Sequence, residues 1–192
     1  EDTLSLHDAL PIFVSTCFGK AGISNFGCVR NVLEYLEETV KRVPDKIAFA
    51  NDKTQLTFQQ FSDDIRAIGS ELIRKGYQKE PVLIYMNKSP EALEGFFGVI
   101  ESGCFYVPLD EEMPKRRIEL IIENTKARVI ICDQENLKRV KELPFDGEIM
   151  LHEELAKKRE DKEKLDKVRR TALDTDPLYV LFTSGSTGMP KG

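Results

Sequence analysis

The stretch Thr183-Ser184-Gly185-Ser186-Thr187-Gly188-Met189-Pro190-Lys191-Gly192 crowds hydroxyls, glycines and a lysine into one short loop. Gly185 and Gly188 permit backbone conformations closed to other residues and let a ligand approach the main chain. Thr183, Ser184, Ser186 and Thr187 supply hydroxyls, and successive amides in such a turn can point inward as an anion nest. Lys191 adds a full positive charge on a long arm, and Pro190 holds Met189 extended before it. Amides, hydroxyls and one cation around a flexible concavity suit a polyphosphate. Two better-known loops are excluded. A Walker loop needs Gly before the lysine and Ser or Thr after it, whereas Lys191 sits between Pro190 and Gly192. A serine-hydrolase elbow needs Gly two residues to each side of the serine. Ser186 has Ser184 on one side, and Ser184 has Phe182.

The elements that must position this loop read as an α/β fold. Leu178-Tyr179-Val180-Leu181-Phe182 is β-prone and leads straight into it. Upstream, Val82–Met86, Cys104–Val107 and Val129–Cys132 are continuous apolar runs of the kind buried on both faces of a sheet. Between them lie a helix opened by Ser89-Pro90 and carrying Leu93, Phe96, Phe97 and Ile100, and one opened by Pro114 and carrying Ile118, Ile121 and Ile122. Strand–helix–strand alternation with short links predicts βαβ units and a largely parallel sheet. Before these, Asn31 caps a helix that Pro44 stops, and Ile47–Ala50 reads as a strand ending in the turn Asn51-Asp52-Lys53. Thr57 and Gln60 form a capping box for a helix with the stripe Phe58, Phe61, Ile65, Ile68 and Leu72, closed at Gly76.

Other segments bound the function. The residues are 41% hydrophobic and 32% charged with a net charge of −5, so the chain can bury a core and lacks the basic excess of a nucleic-acid binder. No apolar run is long enough for a membrane helix, and no signal peptide is indicated. Cys17, Cys28, Cys104 and Cys132 make no CxxC pair, and His7 and His152 lie far from them. Free thiols in a reducing cytoplasm are expected rather than a zinc site or disulfides. Leu151 to Arg170 mixes charges of both signs and reads as a solvated helix or surface loop, with a basic partner-binding patch the minor alternative. Glu1 to Ile12, EDTLSLHDALPI, resembles translated sequencing-adapter read-through and is set aside from the fold, a native amphipathic segment being the alternative.

YVLFTSGSTGMPKG, from Tyr179 to Gly192, closely resembles the signature of the adenylate-forming superfamily, which includes acyl-CoA synthetases, luciferases and the amino-acid adenylation domains of peptide synthetases. Leu56–Phe61 is similar to the family's early L-T-Y-x-E-L element. Ile100–Asp110 is similar to its L-K-A-G-x-A-Y-V-P-I-D element, and within it Tyr106-Val107-Pro108-Leu109-Asp110 resembles amino-acid adenylation domains and D-alanine–carrier protein ligases. The resemblance spans about Val29 to Gly192. It departs at Ser102-Gly103-Cys104-Phe105 and in the charged insert before Thr171.

The resemblance implies that residues 13–192 are the amino-terminal part of an adenylate-forming large domain, cut after its phosphate loop. It implies a cytoplasmic ligase that makes an acyl-adenylate from ATP and a carboxylic acid, with Mg²⁺, and passes the acyl group to a thiol. Thr183, Ser184, Gly185, Ser186, Thr187, Gly188 and Lys191 would bind the ATP phosphates. The magnesium ligand and the catalytic lysine would lie beyond Gly192. An amino acid handed to an acyl or peptidyl carrier protein is the expected substrate; an acyl-CoA synthetase for fatty or aryl acids and a non-catalytic nucleotide-binding module are the alternatives. Neither a nucleic acid nor membrane insertion is expected.

Overall fold

The computed structural model describes residues 31–184 and 190–191, with only the backbone described at Ser184, Pro190 and Lys191. Glu1 to Ile12, His7, Cys17 and Cys28 lie outside the described residues.

Helix α1 (Val32–Arg42) starts where Asn31 Oδ1 accepts the Leu33 amide at 3.0 Å, and it buries Leu33 and Leu36. Strands β1 (Ile47–Ala50) and β2 (Gln55–Thr57) form an antiparallel hairpin. Its turn is held by Asn51 Oδ1, which accepts from the amides of Lys53 and Thr54. Helix α2 (Phe58–Arg74) carries the complete capping box: Thr57 Oγ1 accepts from Gln60 N, and Gln60 Oε1 accepts from Thr57 N. Its whole expected stripe, from Phe58 to Leu72, is buried. Gly76 follows at φ +84°, the left-handed position that terminates helices.

The alternation then unfolds as β3 (Pro81–Tyr85), α3 (Pro90–Glu101), β4 (Phe105–Leu109), α4 (Lys115–Thr125), β5 (Val129–Cys132), α5 (Leu137–Lys141) and β6 (Glu148–Leu151). The four strands make one parallel sheet in the order β4-β3-β5-β6. β3 and β4 are displaced by one or two residues from the runs expected at Val82–Met86 and Cys104–Val107, and β5 coincides with its run. β6 has no counterpart among the expected strands, because Glu148 and a short apolar run give little signal.

Period-two alternation divides the sheet between two cores. Val82, Ile84, Tyr106, Val129 and Ile131 pack with α1, α2 and α3. Leu83, Tyr85, Val107, Leu109, Ile130 and Cys132 pack with α4 and α5. β4 lies to one side of β3 and β5 to the other, so crossovers of a single hand send α3 and α4 to opposite faces. Both faces are thereby covered, as a parallel sheet requires. The helices α2 and α3 meet at glycines. A Cβ on Gly98 would stand 2.5 Å from Ile68 Cγ2, and one on Gly69 would stand 2.6 Å from Glu101 Cβ.

The charged stretch from Leu151 to Arg170 is more structured than expected. It ends β6, forms α6 (His152–Leu155) and continues as α7 (Lys162–Thr171). α7 docks on α2 and α3. Leu165 is buried, Asp161 N donates to Ser70 Oγ at 2.8 Å, and Arg169 Nη2 reaches both carboxylate oxygens of Glu101 at 2.9 and 3.0 Å. Arg169 also pairs with Glu37 of α1. Burial pushes the Glu101 carboxyl up and Arg169 pulls it back. The mixed charges are thus partly clamps between helices.

Leu178–Phe182 departs from expectation in the other direction. It does not form a strand; it makes a single parallel bridge, Tyr106 with Tyr179. Tyr106 N donates to Leu178 O at 3.1 Å and Val180 N donates to Tyr106 O at 3.0 Å. Alternation makes residue 108 the next edge-facing donor of β4, and it is Pro108, which has no N–H. The ladder loses its next rung there. Beyond it, β7 (Thr183–Ser184) and β8 (Pro190–Lys191) pair antiparallel.

Candidate functional site

The hydroxyl- and glycine-rich stretch is flanked by β7 and β8, which pair as a hairpin. Thr183 stands opposite Lys191, and Ser184 opposite Pro190. The fold therefore brings Thr183, Ser184 and Lys191 together at the two arms, while Gly185, Ser186, Thr187 and Gly188 lie outside the described residues. The hairpin leaves the carboxyl end of a segment aligned with parallel strands. Ligands in open α/β sheets gather outside the carboxyl ends of the strands.

Two contacts fix the approach to the hairpin. The first is aromatic: the Tyr106 ring stacks on Phe96, with centroids 4.4 Å apart, and on Tyr179 at 5.7 Å. Burial pushes the Tyr106 hydroxyl up to about 12, so it stays neutral at ordinary pH. The second contact is Arg117, on the first turn of α4. Its Nη2 donates to the carbonyl of Phe182 at 2.7 Å, immediately before β7. Its Nε is buried without a hydrogen-bond partner among the described residues. The Phe182 side chain packs into the core that holds Ile118, Ile121 and Ile122 of the same helix.

Beside this stem, at the carboxyl ends of β3 and β4, opens a cleft of about 220 Å³. Met86, Phe96, Leu109, Leu181 and Phe182 make it mainly apolar, and Lys88 and Asp110 form an ion pair at 3.4 Å among its lining residues. The strand order reverses between β3 and β5, where a second crevice would be expected. It is closed by polar groups that satisfy one another. Asn87 N donates to Asp133 Oδ2 at 2.9 Å, Asn136 N to Asp133 Oδ1 at 2.7 Å, and Asn136 Nδ2 to Asn87 Oδ1 at 2.7 Å. This network ties two strand ends together and leaves little bonding capacity for a ligand.

Sequence reasoning did not single out Arg117, because a basic residue in the run Lys115-Arg116-Arg117 reads as solvent-facing. Its signal is helical spacing: Ile121 lies four residues on, so Arg117 shares the buried stripe. Nor did it single out Glu94 and His152, both buried. His152 Nε2 lies 2.8 Å from Glu94 Oε2 but out of hydrogen-bond alignment, and Glu94 Oε1 is unpartnered among the described residues. Burial first, and the charge of Glu94 next, push the adjacent Asp64 carboxyl up to about 7. This cluster sits among α2, α3 and α6, far along the sheet order from the hairpin.

Comparison with known proteins places the geometry. The model of the family described as AMP-binding enzyme matches residues 36–192. The chain belongs to this AMP-binding family. It is 30% identical over 164 residues to gramicidin S synthase 1 of Brevibacillus brevis, covering 85% of this chain and 15% of that protein. It is 26% identical over 164 residues to tyrocidine synthase 1 of Brevibacillus parabrevis, again covering 85% of this chain and 15% of that protein. The described fold is similar to the crystal structure of fatty acyl-adenylate ligase from L. pneumophila in complex with acyl adenylate and pyrophosphate, with a TM-score of 0.71 at 19% identity, covering 86% of this chain and 30% of that one. The chain thus spans a small part of the length of its curated relatives. Within this AMP-binding chain no described helix is long and apolar enough to cross a membrane, and no group of three or more described His, Cys, Asp or Glu residues is arranged to hold a metal ion.

Proposed function

We propose that the protein containing this chain activates a carboxylic acid with ATP, forming an acyl-adenylate and releasing pyrophosphate. The observation that carries the reading is the position of the hairpin: a hydroxyl- and glycine-rich turn with Lys191 on one arm, at the carboxyl-end side of a parallel sheet, in a chain of the AMP-binding family. The physical problem is electrostatic, since a carboxylate must attack an α-phosphate already surrounded by negative oxygens. Thr183, Ser184, Gly185, Ser186, Thr187, Gly188 and Lys191 hold the β- and γ-phosphates. They spread the charge and orient the leaving pyrophosphate. Mg²⁺ adds countercharge on the phosphate oxygens when bound, and no residue of this chain is assigned to it.

An amino acid is the favoured substrate, passed afterwards to a carrier-protein thiol. The resemblance of Tyr106-Val107-Pro108-Leu109-Asp110 to amino-acid adenylation domains supports this, as does similarity to two synthases of the peptide-synthetase kind. The test is exchange of labelled pyrophosphate into ATP by the full-length protein, acid by acid. Exchange that depends on an amino acid is the expected result. Exchange supported by fatty or aryl acids and by no amino acid would transfer the substrate to the acyl-CoA synthetase class. Absence of exchange with every acid would leave a nucleotide-binding module and defeat the proposal.

A further inference from the structure

We infer that Arg117 is a positioning residue for the phosphate loop, holding the mouth of the β7–β8 hairpin at the span a polyphosphate needs. The inference rests on the function proposed above and adds a residue outside the loop. Two contacts of one helix carry it. The guanidinium of Arg117, in the first turn of α4, donates to the Phe182 carbonyl at 2.7 Å, fixing the arm that becomes β7. The same helix packs against β8, the arm that carries Lys191. α4 therefore braces both sides of the turn, and it is itself anchored in the core by Ile118, Ile121 and Ile122.

The chemistry of the arginine suits the task. A planar fork with a permanent charge grips a carbonyl in one orientation, where an ammonium would swivel. With no N–H at Pro108, the segment loses a main-chain rung beyond Val180, and a side chain must take over its guidance. Arg117 is that side chain. Its Nε is buried and unpartnered among the described residues, so a donor remains at the mouth of the hairpin. Arg116, its neighbour, is different: it is exposed and pairs with Glu119 at 3.3 Å on the helix surface.

A hydrogen bond to a charged group that orders the loop for ATP predicts about a tenfold rise in the KM for ATP when it is removed. Arg117→Met keeps the aliphatic stem and its packing while deleting every donor. In pyrophosphate exchange by the full-length protein, Arg117→Met should raise the KM for ATP by about tenfold and leave the KM for the acid unchanged. Arg117→Lys, which keeps one donor, should fall between it and wild type. Arg116→Ala removes the same charge one residue away and should leave both constants alone. A merely structural role would lower the active fraction, and so kcat, without moving either KM. A folded Arg117→Met protein with the wild-type KM for ATP overturns the assignment. If that variant does not fold, Arg117→Lys decides: a raised KM for ATP supports the assignment and an unchanged one overturns it. A wild type that exchanges pyrophosphate with no acid at all brings down the functional reading and this inference with it, whereas an active wild type beside an unaffected variant brings down this inference alone.

Discussion

At the scale of single residues, the ionisable groups that matter fall into two kinds, those proposed to meet a ligand and those set beside buried carboxylates. Lys191 is of the first kind. It stands across the hairpin from Thr183, and under the proposed function its charge neutralises the polyphosphate. A hydrogen bond to a charged partner contributes about 1.5–3 kcal/mol. Lys191→Ala in the full-length protein should therefore slow single-turnover adenylate formation by about ten- to a hundredfold. A folded variant that reacts at the wild-type rate would remove Lys191 from the phosphate site. Asp64 is of the second kind. Burial and Glu94 hold its carboxyl at about 7 against an ordinary value of 3.8, with His152 acting in the opposite direction and Asp63 adding to the rise. The folded state therefore binds this proton more tightly than the unfolded chain does. The stabilisation is complete below pH 4 and is lost as the pH climbs through about 7. Asp64→Asn removes that dependence. The difference in stability between wild type and variant, followed by denaturant unfolding from pH 4 to pH 8, should drift against wild type as the pH rises. A difference that stays flat would show that Asp64 ionises normally.

At the scale of elements, the contact between α2 and α3 is a tight steric constraint in the fold. Gly98 faces Ile68 with no room for a methyl group, and α3 in turn carries Phe96, the base of the aromatic stack under the hairpin. Overpacking of this kind costs about 1–3 kcal/mol. Gly98→Ala should lose stability in that range by denaturant unfolding, with the midpoint shifted and the slope unchanged. No loss would mean that the helices separate freely. The elements also show which sequence signals can be read without coordinates. Thr57 with Gln60, and Ser89 with Pro90, announce helix starts because caps act through neighbours in sequence. Val129–Cys132 announces a buried strand because every residue in it is apolar. Leu178–Phe182 is equally β-prone and still makes one bridge only, because the deciding residue, Pro108, sits on the partner strand. Glu101 and Arg169 gave no signal of docking, since charge reads as solvent until the buried partner is seen. Composition marks the loop as a candidate, but nothing local marks Arg117 as facing Phe182, 65 residues further along the chain.

At the scale of the whole molecule, a four-stranded parallel sheet is closed on both faces by helices and leaves the outer side of β4 as the place where the hairpin segment enters. That side carries Tyr106 and Pro108. Within β4, Tyr106 holds the one outward N–H, and its partners are already Leu178 and Val180. An exposed strand with a full row of donors is a template for any extended peptide, and proteins commonly blunt it with proline. Pro108 does so here, since the carbonyl that follows Val180 N–H along the incoming segment finds no donor on β4. The same missing hydrogen that releases the chain toward its loop makes this border of the sheet unable to recruit the wrong strand, whether from a neighbouring molecule or from a misfolded copy of its own sequence.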